Sequence, residues 1–319
     1  MNEYDEIVDK LLNMDPDPIP KYVLLKEFKN VDKNNPELND LYEMVCAHKF
    51  VKKIEESLNG SGFWDPFHGL TEHNIRLLLS YGLDKNHPVL KNVLLALTDL
   101  LRGKMITGQS EKQDHPLWYP IMFEPLIFAS MIALIDPENN AIINHRRMRA
   151  GFAEAALGGG VYDEKADAET QRTHYGFNAK RFITPFCYFN LLLLRPGDTN
   201  RLSAETDDAL VDYCMKESDL IYYVYNNKPC DFVEIGAQNR DARSFWHWIR
   251  ALSLISQFNG WKKYEKKYSK WIMDQRNSDG FWEFPKKFYY TLSDSWRGKN
   301  KAIDSTIFVL RMLMKKRAF

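Results

Sequence analysis

Apolar positions along the chain recur at three- and four-residue spacing, and no stretch alternates apolar and polar residues for long. Glycine, proline and short polar clusters cut this pattern into segments of ordinary helix length. The segments fall into pairs. Glu3–Leu12 precedes Pro20–Phe28, Leu38–Leu58 precedes Glu72–Tyr81, and His87–Arg102 precedes Trp118–Ile135. Asn144–Leu157 precedes Asn178–Leu194, Ser203–Tyr225 precedes Arg243–Phe258, and Lys262–Arg276 precedes Ala302–Lys316. First members such as Lys262–Arg276 carry charge on one face; second members such as Phe182–Leu194 and Phe245–Phe258 are apolar nearly all round. An amphipathic helix meets water on one side, whereas a helix apolar on every side is enclosed. The alternation predicts an all-α fold in which short links make neighbours antiparallel and an outer ring of helices surrounds an inner one, an α/α toroid of about six hairpins. Residues 1–319 read as one such domain. An open solenoid also alternates helices, but with a smaller difference in burial.

The chain repeats itself weakly. Phe50-Val51 leads through a polar stretch to Gly62-Phe63-Trp64, and Trp271-Ile272 leads likewise to Gly280-Phe281-Trp282. A fainter copy runs from Gly151-Phe152 to Gly160-Val161-Tyr162. An apolar helix follows, with Ile75-Arg76-Leu77-Leu78 after the first copy and Leu310-Arg311-Met312-Leu313 after the last. In each unit the glycine supplies the left-handed turn that ends the outer helix, and the aromatic after it plugs the seam between hairpins.

The stretch Lys270-Trp271-Ile272-Met273-Asp274-Gln275, followed by Gly280-Phe281-Trp282, resembles the QW repeat of squalene-hopene and oxidosqualene cyclases. The resemblance implies the terpenoid-cyclase and protein-prenyltransferase superfamily, in particular its single-domain prenyltransferase and squalene-oxidase repeat proteins. It also implies a structural role for Gln275 and Trp282, which stack in that family and tie neighbouring hairpins together. The cyclases protonate substrate through a DxDD motif. The nearest match, Glu205-Thr206-Asp207-Asp208, departs at its first position and follows Ser203, so it reads better as the capped, acidic first turn of a helix. The prenyltransferases hold zinc partly through Asp-x-Cys. Asp212-Tyr213-Cys214 has that spacing, but residues two apart on a helix point to different faces. No metal or other cofactor is expected.

Composition adds limits. The chain carries 43 basic and 43 acidic residues, so no basic excess points to nucleic acid. The basic cluster Lys315-Lys316-Arg317 ends a helix, where cations complement the dipole. The acidic start is unlike a signal peptide, and Trp118–Ile135 holds Pro120, Glu124 and Pro125, which argues for a buried helix over a membrane span. The four cysteines show no CxxC spacing and read as buried thiols in a reducing compartment, by default the cytoplasm. Gly158-Gly159-Gly160 lacks the Lys-Ser/Thr of a phosphate-binding loop and reads as a helix terminus.

In a toroid, the links from outer to inner helices share one rim, where helix N-termini present free N–H groups. Those links are the longer ones and are rich in rings and charges. They nominate Asp241, Asp304 and His174 as catalytic groups. The candidate substrate contacts are Trp64, His68, Glu72, Trp118, Tyr119, Tyr175, Arg243, Trp246 and Trp296. Each also has a structural reading: Asp304 as a helix cap, Arg297 as the partner of Asp294, Trp246 as core. Three functions follow. The first is a cyclase- or transferase-type enzyme acting on a small, largely apolar substrate in an aromatic-lined cavity. The second is a non-catalytic binding or scaffold toroid. The third is a carbohydrate-active six-hairpin barrel with paired carboxylates. The expected partner in the first case is a small molecule.

Overall fold

The computed structural model describes residues 3–64, 67–103, 118–177, 183–196, 202–216, 222–223, 228–229, 251–284 and 291–315. The regular structure among them is helical, apart from a two-residue antiparallel pairing of Tyr222 with Pro229 and Tyr223 with Lys228. That pairing corrects the expected helix Ser203–Tyr225, which runs only from Ala204 to Lys216.

In chain order the helices are α1 (Glu3–Asn13), α2 (Pro18–Val23), α3 (Pro36–Ala47), α4 (Lys49–Glu56), α5 (Phe67–Ser80), α6 (Pro88–Leu101) and α7 (Glu124–Ile135). They continue as α8 (Ile143–Leu157), α9 (Glu164–Tyr175), α10 (Tyr188–Leu194), α11 (Ala204–Lys216), α12 (Lys262–Met273) and α13 (Lys299–Leu313). Residues 251–255 are also helical. Two π-helical turns widen the chain, Leu24–Phe28 after α2 and Tyr119–Phe123 before α7. No helix among the described residues is long and apolar enough to cross a membrane.

Local chemistry sets the boundaries. Asn35 caps α3 by accepting from Glu37 N and Leu38 N, with Pro36 preset at its first position. His48 then breaks the expected helix Leu38–Leu58 in two. Its backbone is extended, and its Nδ1 accepts from Phe50 N to start α4. Ser203 caps α11 by accepting from Thr206 N, and Ser203 and Thr206 both donate to Glu154 of α8. The acid-rich start of α11 is therefore a braced helix terminus: Asp207 accepts from Gly260 N at 2.6 Å, and Asp208 pairs with Lys263. Asp212 faces Lys216, Lys263 and Tyr264, while Cys214 two residues on is in the core.

An unexpected helix is α9. Asp163 caps it, and Gly176, at φ +77°, ends it in the left-handed conformation. Its buried face is polar. Asp167 accepts from Gln171 Nε2 and Tyr162 OH, and Gln171 also donates to the Ile183 carbonyl.

The expected contrast in burial is present. Every residue of α10 and all but Pro125 of α7 are buried, whereas α12 buries only Tyr268 and Ile272. Helix α7 packs against α6, α5 and α10; α8 packs against α9, α10 and α11. The last helix returns to the first. α13 packs on α2, Arg276 pairs with Glu3 at 2.7 Å, and Lys299 Nζ donates to the Met14 and Asp15 carbonyls. Asp294 pairs with His48 and Lys49, not with Arg297 as the sequence order implied.

The repeat is an atomic one. Asn59 and Asn277 each accept, through Oδ1, from the backbone N–H groups two and four residues on. Gly62 and Gly280 stand at φ +81° and +88°. Trp64 Nε1 donates to the Ile54 carbonyl and Trp282 Nε1 to the Ile272 carbonyl, ten residues back in both cases. Trp64 N then donates to Thr71 Oγ1, and Trp282 N to Thr306 Oγ1, on the helix that follows. The partner of Ile272 is thus Ile54, three residues later than the expected Phe50-Val51 match. Gln275 does not stack on Trp282. It is exposed and donates to the Trp271 carbonyl in its own helix, while the Arg276 guanidinium lies 5.9 Å from the Trp282 ring.

Candidate small-molecule site

Helix α8 reads as a basic outer helix, yet it turns Arg146 and Arg149 inward, and both are buried. Arg149 Nη2 donates to the Met122 carbonyl, which belongs to the π turn before α7. Its guanidinium carbon lies 5.6 Å from the Phe152 ring and 5.8 Å from the Tyr175 ring. Nη1 is buried without a hydrogen-bond partner. Burial lowers the Arg149 pKa, and Tyr175, Cys187 and Asp167 partly restore it. A guanidinium resists deprotonation, so the group is a fixed charge with one unpartnered donor nitrogen.

Rings surround it. Tyr175 meets Phe152 at 6.0 Å and His174 at 4.7 Å and stacks on Phe177, and its hydroxyl points at Met148 Sδ. Beyond Met122, Trp118 and Tyr119 pack edge-on at 5.7 Å, and both lean on Phe123. Phe123 continues to Phe189, Phe189 to Tyr188, and the Tyr188 face carries the Arg76 guanidinium at 4.9 Å. Arg76 in turn holds Glu72 through Nε at 2.6 Å. Burial raises the pKa of Tyr175 and of Tyr119, so both hydroxyls are neutral donors. The structure therefore joins Trp118, Tyr119, His174, Tyr175 and Glu72 in one run of contacts. His174 is exposed, on the last turn of α9 instead of in a loop.

The other candidates lie elsewhere. Trp64 is enclosed in the seam described above. His68 belongs to the first turns of α5. Trp296 is half-buried against the core. Asp241, Arg243 and Trp246 lie outside the described residues.

Asp304 sits inside α13, not at its cap. Its carboxylate accepts from Leu292 N, Ser293 N and Ser293 Oγ, at 2.9, 3.1 and 2.7 Å. Burial raises its pKa to about 6, against the pull of those donors. The folded value exceeds the unfolded one of about 4. The native state therefore holds this proton more tightly, and the Asp304 contribution to stability falls as pH rises between about 4 and 6, then levels off. Carbon-detected NMR should find the Asp304 carboxyl titrating near 6. A midpoint near 4 would mean that its ionised form is as well solvated as in water.

Compared with known proteins, the chain matches no family model, no curated protein and no solved structure. The chemistry must be read from the site.

Arg149 and Arg76 escaped the sequence reading. Arg149 lies in His145-Arg146-Arg147-Met148-Arg149, which looks like a solvated face. Arg76 left one trace, as the lone charge in an apolar run. Among the described residues, no three metal-ligating side chains gather.

Proposed function

We propose that the chain is an α/α toroid that takes a small molecule with a largely apolar body into its interior, against the Trp118–Tyr119–Phe123 and Phe152–Tyr175 rings, as a cyclase- or transferase-type enzyme or as its non-catalytic counterpart. The toroid is supported by the alternating burial, the twice-built Asn-Gly-Phe-Trp turn and the return of α13 to α2. The observation that carries the binding reading is Arg149. It is a fully enclosed cation between two aromatic groups, with an unused donor that water cannot reach. Leaving such a donor unmade costs about 1–3 kcal/mol, which a ligand acceptor recovers.

Arg149 also bears on the chemistry. A positive charge lies near the Phe152 and Tyr175 faces, so a developing carbocation there is repelled instead of stabilised. The site favours an electron-rich end of the ligand at Arg149. For the sugar-cleaving reading, the buried carboxylates of Glu72, Asp167 and Asp304 are each engaged by their own neighbours instead of facing one another.

The test uses N-phenyl-1-naphthylamine, a neutral aromatic dye that brightens in apolar surroundings. Native protein should bind it saturably near one equivalent, and Tyr175→Ala and Trp118→Ala should each weaken binding by about tenfold, the worth of one aromatic wall. No saturable binding, or binding indifferent to both substitutions, would refute the site.

A further inference from the structure

The two copies of the repeat place an arginine at the same point. Thr71 and Thr306 are equivalent through their bonds to Trp64 and Trp282, and five residues on in each helix stand Arg76 and Arg311. Both are buried, at 0% and 3% exposure, and their partners are very different. Arg311 is clasped by a carboxylate from another helix pair: Nε donates to Glu27 Oε2 at 2.7 Å, and Nη2 to Glu27 Oε1 at 2.9 Å and to the Ser80 carbonyl at 2.8 Å. The hydrogen bond of Arg76 goes to Glu72, one turn back on its own helix, through Nε. Nη1 and Nη2 are both buried with no hydrogen-bond partner.

Four N–H donors on one cation are thus enclosed and unused. Two other arginines press on the same place. Arg195 anchors itself to the Ala133 and Leu192 carbonyls, and Arg146 to the Leu193 carbonyl, all around the C-terminal end of α10. Burial, and then the nearby charges of Arg146 and Arg76, lower the Arg195 pKa to about 10. Glu72 meets Arg76 through Nε alone and leaves the other edge unbound, and a planar end with two free nitrogens matches the two oxygens of a carboxylate, sulfonate or phosphoryl group.

We infer that the Nη1/Nη2 edge of Arg76 is a binding site for an oxyanion carried by the small molecule, filling the place that the Glu27 carboxylate fills at Arg311. This rests on the proposed interior site, to which Arg76 connects through Tyr188, Phe189 and Phe123. The ligand is then amphipathic: an apolar body on the rings and an anionic head at α5. Arg76 fixes the head, and Glu72 orients the guanidinium from its Nε side, so Glu72 is a positioning residue.

A matched pair of dyes tests this. 8-Anilino-1-naphthalenesulfonate is N-phenyl-1-naphthylamine with a sulfonate added. Native wild-type protein should bind the sulfonate dye about tenfold or more tighter than the neutral one, the worth of a charge-assisted pair. Competition by 1-naphthyl phosphate against 1-naphthoate then tells a phosphoryl head from a carboxylate. Arg76→Met alone takes the Arg76 bond from the buried Glu72 carboxylate and is liable to unfold, so the variant is the double substitution Glu72→Gln with Arg76→Met. It should lose the preference for the sulfonate dye, read as the ratio of the two affinities within the same variant. If wild-type protein binds both dyes equally, or the double variant keeps the preference, the Arg76 site is overturned and the apolar site stands. If neither dye binds, the interior site itself fails.

Discussion

Replacing Trp282 by alanine should lower the free energy of unfolding by about 3–5 kcal/mol, the range for deleting a buried indole. The residue is 3% exposed and does three jobs at once. Its indole N–H takes the Ile272 carbonyl at 2.7 Å at the end of α12, where that carbonyl also accepts from Gln275 N. Its backbone N–H reaches Thr306 on α13. Its ring fills the wedge between those two helices and lies beside Arg276, which in turn holds Glu3. Trp64→Ala should cost the same within about 1 kcal/mol, because Trp64 makes the same bonds to Ile54 and Thr71. Trp282→Phe separates the terms. It keeps most of the apolar area and forfeits the N–H bond, at a cost of about 1–3 kcal/mol. Urea unfolding of the four proteins reads all of this. A loss below about 1 kcal/mol for either alanine would show that the turn holds without its plug.

Arg311→Met should be as damaging, about 3–5 kcal/mol, for an electrostatic reason. Methionine occupies the space, so little packing is lost. The Glu27 carboxylate, though, stays behind in a dry interior after losing its bonds from Nε and Nη2. The Ser80 carbonyl loses its donor as well. Adding Glu27→Gln removes that charge, and the double variant should recover most of the loss. Unfolding curves for wild type, each single variant and the double variant close the cycle. If the double variant is as unstable as Arg311→Met alone, the pair matters for its shape and not for its charge.

The helical class and most helix positions were legible because they rest on apolar spacing, which a chain shows openly. The failures have physical causes. Helix α9 was invisible because its buried face, Asp167 and Gln171, is polar and is satisfied by Tyr162 and the Ile183 carbonyl. The break at His48 depends on one imidazole accepting a backbone N–H, an option its residue type does not announce. The repeat showed its glycines and tryptophans, but its register was misplaced by three residues because Asn59 and Asn277, which build the turn, are small polar residues common in any loop. Gln275 matched a motif by identity and spacing, yet a helix end left it facing solvent. The site was half visible. Trp118, Tyr119 and Tyr175, nominated because aromatics gather at links, do lie in one run of contacts. The arginines that give the cluster its charge looked ordinary, since sequence cannot tell a solvated cation from one turned inward.

The pairing of the first helices with the last has a consequence for how the chain is made. Glu27 and Arg311 are 284 residues apart, Asp17 and the Asp294 backbone 277, and Glu3 and Arg276 273. A ribosome adding about 5–20 residues per second delivers α1 and α2 tens of seconds before their partners exist. Through that interval the Glu27 carboxylate waits for the Arg311 guanidinium, and the apolar faces of α1 and α2 have only their nearest neighbours to cover them. Folding that depends on such distant contacts is slow and is completed late. The nascent N-terminus is therefore the stretch most in need of a chaperone, and a premature stop anywhere before α13 would release a chain whose opening helices can never be finished.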